Sequence, residues 1–196
     1  MKESFIVRLA EEKDHQAILA IYRPFITETA ITFEYDVPGR PEFSNKIQST
    51  LEGFPWLVCE LGNEVVGYAY ASKHRDRAAY QWSTESSVYV RPGLHKKGIG
   101  RALYAVLFEI LGMQGFVNVY AGITLPNAKS EKFHEAIGFR IVGVYPGIGY
   151  KLGSWYSVKW MELALSGRQT EPAVPIPFSE LRNTEKCSSA LGRVFR

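Results

Sequence analysis

Cysteine is scarce in this sequence: Cys59 and Cys187 are the only two, far apart in the chain. That excludes a disulfide framework, and Cys59, inside the apolar run Trp56-Leu57-Val58-Cys59, reads as a small core residue. Histidine is also sparse, and His15, His74, His95 and His134 share no ligand spacing, so no metal is expected. No apolar run approaches the roughly twenty residues that a membrane span needs. The opening Met1-Lys2-Glu3-Ser4-Phe5 mixes acid and base where a secretory leader would be apolar, so a cytoplasmic protein with no membrane partner is expected. A net charge of +3, from 23 basic and 20 acidic residues without a basic block interleaved with aromatics, argues against nucleic acid as a partner. No internal repeat is present.

What remains is 196 residues, 46% of them hydrophobic, enough for one domain with a sizeable core. Phe5 to Leu9 reads as a strand, followed by a helix that Asp14 caps and Pro24 bends or interrupts. An irregular segment, Thr29 to Pro41, leads to a helix over Glu42–Phe54, then to a hairpin of Pro55–Glu60 and Val65–Ser72 turning at Gly62-Asn63. The charged segment His74–Tyr80 interrupts the sheet before a strand at Trp82–Val90. A helix through Leu111, a strand at Phe116–Ile123 and a helix over Asn127–Ile137 follow. The last strands are Phe139–Tyr145 and Trp155–Leu165, joined by a loop over Pro146–Ser154. From Ser166 periodicity disappears and Pro172, Pro175 and Pro177 punctuate the chain. Residues 166–196 read as a tail that is partly disordered or packed on a partner subunit. Strands mixed with helices in this order predict a mixed α/β domain over residues 1–165, with a central twisted sheet of about seven strands.

The most informative stretch runs from Glu85 to Leu103. A β-branched and aromatic strand end, Ser87 to Val90, passes through the turn Pro92-Gly93 into a helix with apolar residues at Ile99, Leu103, Val106, Leu107 and Ile110. The first backbone N–H groups of that helix have no intrahelical partner, and Lys96, Lys97 and Arg101 surround them. Gly98 and Gly100 allow close approach of a phosphate. A basic connection between strand and helix has the same composition, so the turn alone does not decide the matter.

The run His95-Lys96-Lys97-Gly98-Ile99-Gly100-Arg101 resembles the pyrophosphate loop of the GNAT N-acetyltransferase superfamily, with His95 in place of the usual Arg or Gln. Tyr80-Gln81-Trp82-Ser83-Thr84-Glu85-Ser86-Ser87-Val88-Tyr89-Val90, Leu125-Pro126-Asn127 and His134-Glu135-Ala136-Ile137-Gly138-Phe139 are similar to its phosphinothricin and methionine sulfoximine N-acetyltransferase branch. The likeness covers most of Arg8 to Leu165. It implies the GNAT fold, acetyl-CoA as co-substrate, transfer to the α-amine of a small L-amino acid by direct attack in a ternary complex, and a homodimer.

It also implies site residues. Glu85 is the base that takes the ammonium proton; a solvent-facing strand carboxylate is the plainer alternative. His134 protonates the leaving thiolate or orients substrate, unless it is a surface histidine. Main-chain groups of Val88, Tyr89 and Val90 pair with the pantetheine arm, to which Asn127 and Ser130 also contribute, while His95, Lys96, Lys97, Gly98, Ile99, Gly100 and Arg101 hold the pyrophosphate. Arg75 and Arg77 meet the substrate's anionic groups, Phe33, Tyr80 and Trp82 wall it, and Lys151, beside Tyr150, closes the site from a neighbouring subunit. The rivals are an acetyltransferase for a polyamine, an aminoglycoside or a protein N-terminus, and a non-catalytic acyl-CoA sensor.

Overall fold

A computed structural model of the chain describes residues 4–95 and 97–195. Eight strands among these residues form one sheet in the order β6-β7-β5-β4-β3-β2-β1-β8. The first half is β1 (Phe5–Leu9), α1 (His15–Glu28), α2 (Arg40–Gly53), β2 (Trp56–Leu61) and β3 (Glu64–Lys73). Then come β4 (Ser83–Val90), α3 (Ile99–Gln114), β5 (Asn118–Thr124) and α4 (Ala128–Ala136). The chain closes with β6 (Arg140–Lys151), β7 (Ser154–Ala164), α5 (Phe178–Leu181), α6 (Glu185–Ala190) and β8 (Arg193–Phe195). The expected mixed α/β architecture is present, with one strand more than expected.

Alternation along the strands divides the core. On one face Tyr89 of β4 meets Tyr22 and Phe25 of α1 edge-on, at ring separations of 5.0 and 5.1 Å, and stacks with Tyr68 of β3. Trp56 of β2 stacks at 4.1 Å on Tyr70 and meets Phe43 of α2 edge-on. The other face receives α3, whose Leu103, Val106, Leu107 and Ile110 are fully buried. Glu85 and Ser87 share the Tyr89 face, and Ser86 and Val88 the α3 face.

Two sequence expectations need correction, and the tail gains contacts that the sequence did not show. The helix α1 runs on through Pro24, and Asp14, expected to cap it, instead pairs with Arg8 at 2.6 Å. The stretch Pro146–Lys151, expected as loop, continues β6 against β7, with register irregularities between Ile141 and Gly143 and between Tyr145 and Gly149 that absorb the proline and glycines. The segment after Leu165 packs on its own chain. Phe178, Leu181, Cys187 and Ala190 enter the core, β8 pairs antiparallel with β1, and Arg193 makes a two-pronged contact with Glu109 of α3 at 2.6 and 2.7 Å. This strap also takes hydrogen bonds from Gln114 to Ile176 O and from Trp82 to Ala173 O.

Candidate active site

The central feature is a parting of two parallel strands. β4 and β5 pair only over Ser83–Glu85 against Asn118–Tyr120, although each continues beyond, β4 held by β3 and β5 by β7. Past Glu85 and Tyr120 the facing edges separate into a cleft lined by Ser86–Tyr89, Ala121–Thr124, and Asn127, Ser130 and His134 from α4. Backbone amides and carbonyls on such an edge can pair with an extended, amide-bearing chain, as an added strand does. The side chains of Val88, Tyr89 and Val90 pack against the core, so main chain is what they offer a ligand.

At the outer end of the cleft stands the N-terminus of α3. Gly98 precedes it with φ of +83°, a conformation glycine adopts freely, and the first amide to close a helical bond is Ala102 N, to Gly98 O at 3.0 Å. The amides of Ile99, Gly100 and Arg101 thus precede the first helical bond, at the positive end of the dipole. Gly100 has a packing role that the sequence did not show: a Cβ there would stand 3.3 Å from the Phe133 ring of α4. The Ile99 side chain is buried, and Arg101 donates to Ala136 O at 3.3 Å, which ties α3 to α4. His95 and Lys97 are exposed before the helix; Lys96 lies outside the described residues.

His134 is no surface residue; it is 4% exposed beneath the cleft. Its Nδ1 lies 2.8 Å from Ser130 O, which can only accept, so Nδ1 carries the proton. Its Nε2 faces the Tyr104 hydroxyl at 3.4 Å, and Ser86 Oγ lies 3.3 Å from that hydroxyl. The chain of donors is consistent with a neutral imidazole, and burial lowers the His134 pKa from its usual value while raising that of the Tyr104 phenol. Asn127 caps α4 by accepting from Ser130 N at 3.2 Å, which leaves its amide NH2 for a ligand carbonyl.

The buried, neutral His134 carries a testable consequence. An unfolded chain protonates this imidazole near pH 6.5 and the folded one does so only at lower pH, so its contribution to stability is full above that value and declines as pH falls below it. The midpoint of thermal unfolding is expected to fall between about pH 7 and pH 5, and less steeply in His134→Gln. Equal slopes in the two proteins would rule out this linkage. Burial lowers the His15 pKa as well, and that contribution persists in both proteins.

Glu85 occupies the apex of the cleft, opposite Tyr120 and on the face away from His134. Its Oε1 is 2.9 Å from Nδ1 of His74, a contact that sequence reasoning missed. The residues proposed around the substrate divide. Tyr80 meets the His74 ring edge-on, Arg75 and Arg77 are exposed on the same segment, and Phe33 packs so closely on Gly149 that a Cβ there would stand 2.3 Å from its ring. Trp82 gives its indole N–H to Ala173 O at 2.7 Å and so anchors the strap. Lys151 is buried and donates to Thr32 O at 2.7 Å, so its ammonium is engaged within its own chain. With the contact of the Tyr35 hydroxyl to Tyr150 O, it fastens the segment after α1 to β6.

A mixed sheet whose central parallel strands part beside a glycine-led helix N-terminus is the architecture of an acyl-CoA-dependent transferase. The sequence matches the family described as Acetyltransferase (GNAT) domain over residues 7–160, and the chain belongs to that family. Phosphinothricin N-acetyltransferase of Streptomyces coelicolor is 36% identical, over 81% of this chain and 95% of the relative. The L-methionine sulfoximine/L-methionine sulfone acetyltransferase of Salmonella typhimurium is 33% identical, over 81% and 94%. Among solved structures, a GNAT superfamily phosphinothricin acetyltransferase from Sinorhizobium meliloti in complex with acetyl-CoA superposes with a TM-score of 0.82 at 32% identity, over 88% of this chain and 94% of the other. The protein is an acetyl-CoA-dependent N-acetyltransferase of the branch to which these enzymes belong.

Proposed function

We propose that this enzyme acetylates the α-amine of a small L-amino acid with a tetrahedral polar head, of the phosphinothricin, methionine sulfoximine or methionine sulfone kind. The observation that carries the reading is the position of Glu85 at the point where β4 and β5 part. A thioester lying along the cleft ends there, and an amine arriving on the opposite face meets the carboxylate that removes its proton. The edge of β4 past Glu85 provides backbone donors for the thioester carbonyl. On the far side the Tyr104 hydroxyl, set between Ser86 Oγ and His134 Nε2, turns its proton from His134 to the departing sulfur, and the thiol leaves as CoA. No covalent enzyme intermediate is needed; the amine attacks directly in a ternary complex.

Arg75 and Arg77 suit the carboxylate and the anionic or polarised head of such a substrate. A polyamine or aminoglycoside calls for carboxylates in their place. The enzyme works where acetyl-CoA is made, in the cytoplasm, and there detoxifies amino-acid analogues of this kind. The exposed apolar residues of the β6–β7 hairpin, among them Ile141, Val142, Ile148 and Trp155, support a homodimer.

The test is a comparison of kcat/KM across L-methionine sulfoximine, L-methionine sulfone, L-phosphinothricin, spermidine, an aminoglycoside and a peptide beginning with alanine. The peptide matters because a ribosomal-protein-alanine N-acetyltransferase from Brucella melitensis superposes with a TM-score of 0.79 at 32% identity, over 81% of this chain. Preference for the three amino acids by at least about 100-fold, some 2.7 kcal/mol of discrimination, is expected. Preference for the peptide or a polyamine contradicts the proposed substrate class, and acetyl-CoA binding without turnover of any amine contradicts catalysis.

A further inference from the structure

We propose that His74 is a positioning residue for Glu85, holding one carboxylate oxygen so that the other is aimed at the substrate's ammonium. The inference rests on the reading of Glu85 as the base. β3 ends at Lys73, and its pairing sets Ser72 opposite Glu85, so the next turn of chain carries His74 back over the apex of the cleft. There Nδ1 lies 2.9 Å from Glu85 Oε1. An ionised carboxylate has no proton to give, so the imidazole N–H donates.

The ring is itself held in place. It stacks on Tyr120, the residue opposite Glu85 on β5, with centroids 4.5 Å apart and planes 14° from parallel. Trp160 of β7 and Tyr80 meet it edge-on at 5.9 and 6.3 Å. Two of these three rings, Tyr120 and Trp160, stand on sheet strands, and the His74 side chain is only 15% exposed. A glutamate alone at the rim of a cleft turns about its terminal torsion. With Oε1 fixed by a donor whose plane is set by Tyr120, Oε2 points in one direction. Orientation of this kind matters for proton transfer, because reach and angle precede any question of basicity.

The contact is served by a residue that does not touch the reacting atoms, so its test must separate orientation from mere packing. His74→Phe keeps a ring to stack on Tyr120 and removes the donor. His74→Asn loses the stack and keeps an amide N–H close to the position of Nδ1. With L-methionine sulfoximine at saturating acetyl-CoA, H74F is expected to lower kcat about 10- to 100-fold with KM for acetyl-CoA unchanged. H74N, which keeps a donor without the stack, is expected to be faster than H74F by at least about threefold. In a Glu85→Gln background, H74F should cost the residual rate nothing further, since two residues acting as one unit are not additive. Should H74F fail to fold by circular dichroism, His74→Ala removes the same donor and enters the same comparison.

A donorless variant within about threefold of the unsubstituted enzyme overturns the inference. So does an H74N as slow as H74F, or an H74F loss that persists in full without the Glu85 carboxylate. A Glu85→Gln enzyme as fast as the unsubstituted one overturns the assignment of the base, and the role of His74 falls with it. A slow Glu85→Gln beside a fast H74F removes His74 alone and leaves the base in place. Absence of turnover by the unsubstituted protein overturns the functional reading and this inference together.

Discussion

Glu85→Gln is expected to lower kcat by about 100- to 10,000-fold while leaving acetyl-CoA affinity within about twofold. The amine of an amino acid is mostly protonated near neutral pH and cannot attack until the proton leaves, so removing the acceptor strikes the chemical step. The amide of glutamine keeps the side chain's size and its capacity to accept from His74, which limits structural disturbance. The cleft proposed for the cofactor lies past Glu85 along β4, and α3 with its amides is farther still, so binding of acetyl-CoA has no reason to change. The split between kcat and cofactor affinity distinguishes a base from a structural carboxylate. Isothermal titration with acetyl-CoA and a steady-state assay of thiol release measure the two quantities separately. A variant with unchanged kcat places the base elsewhere.

Phe178→Ala is expected to destabilise the fold by about 3–5 kcal/mol, a large share of the total stability of a domain. Phe178 is fully buried, yet it belongs to α5, beyond residue 160 where the family match ends. The helix packs on α2, and the segment before it is tied to the end of α3 through Gln114 and to the residue before β4 through Trp82. Urea unfolding followed by tryptophan fluorescence reads the loss as a lower midpoint at unchanged slope. A cost below about 1 kcal/mol would mean that the strap is an appendage and not part of the core.

The stretch from β4 to α4 was legible because its signals are local. The period of α3, the glycine and proline punctuation and the strand before them sit within a few tens of residues, and the resemblance rests on them. The strap was not legible for the opposite reason. Phe178, Leu181, Cys187 and Ala190 lie on two short helices without a sustained period, and only the surface left open by α2, α3 and β1 gives them a place. Pro146 and Gly147 carry turn chemistry, yet pairing with β7 holds them in β6.

Within the site, polarity was readable and partnership was not. Trp82 was expected as a wall of the substrate site and Lys151 as a group reaching it from a neighbouring subunit, but the acceptors they meet, Ala173 O and Thr32 O, come from segments distant in sequence. His74 lay unremarked in a charged loop because its value depends on hairpin register, which sets the end of β3 beside Glu85. Tyr104 and Ser86 were hidden in the same way. One sits on the buried face of α3 and the other on a strand, and they meet His134 only when three elements are assembled.

The central claim is that this enzyme moves an acetyl group onto the α-nitrogen of an amino acid brought to Glu85. L-Methionine sulfoximine provides the most direct test, because it carries two nitrogens, the α-amine and the sulfoximine N–H. Incubation with acetyl-CoA labelled with 13C at the carbonyl, followed by NMR of the product, shows which nitrogen bears the label. Label on the α-nitrogen alone, in one-to-one proportion with released CoA, is expected. Label on the sulfoximine nitrogen, or CoA released without an amide product, would contradict it.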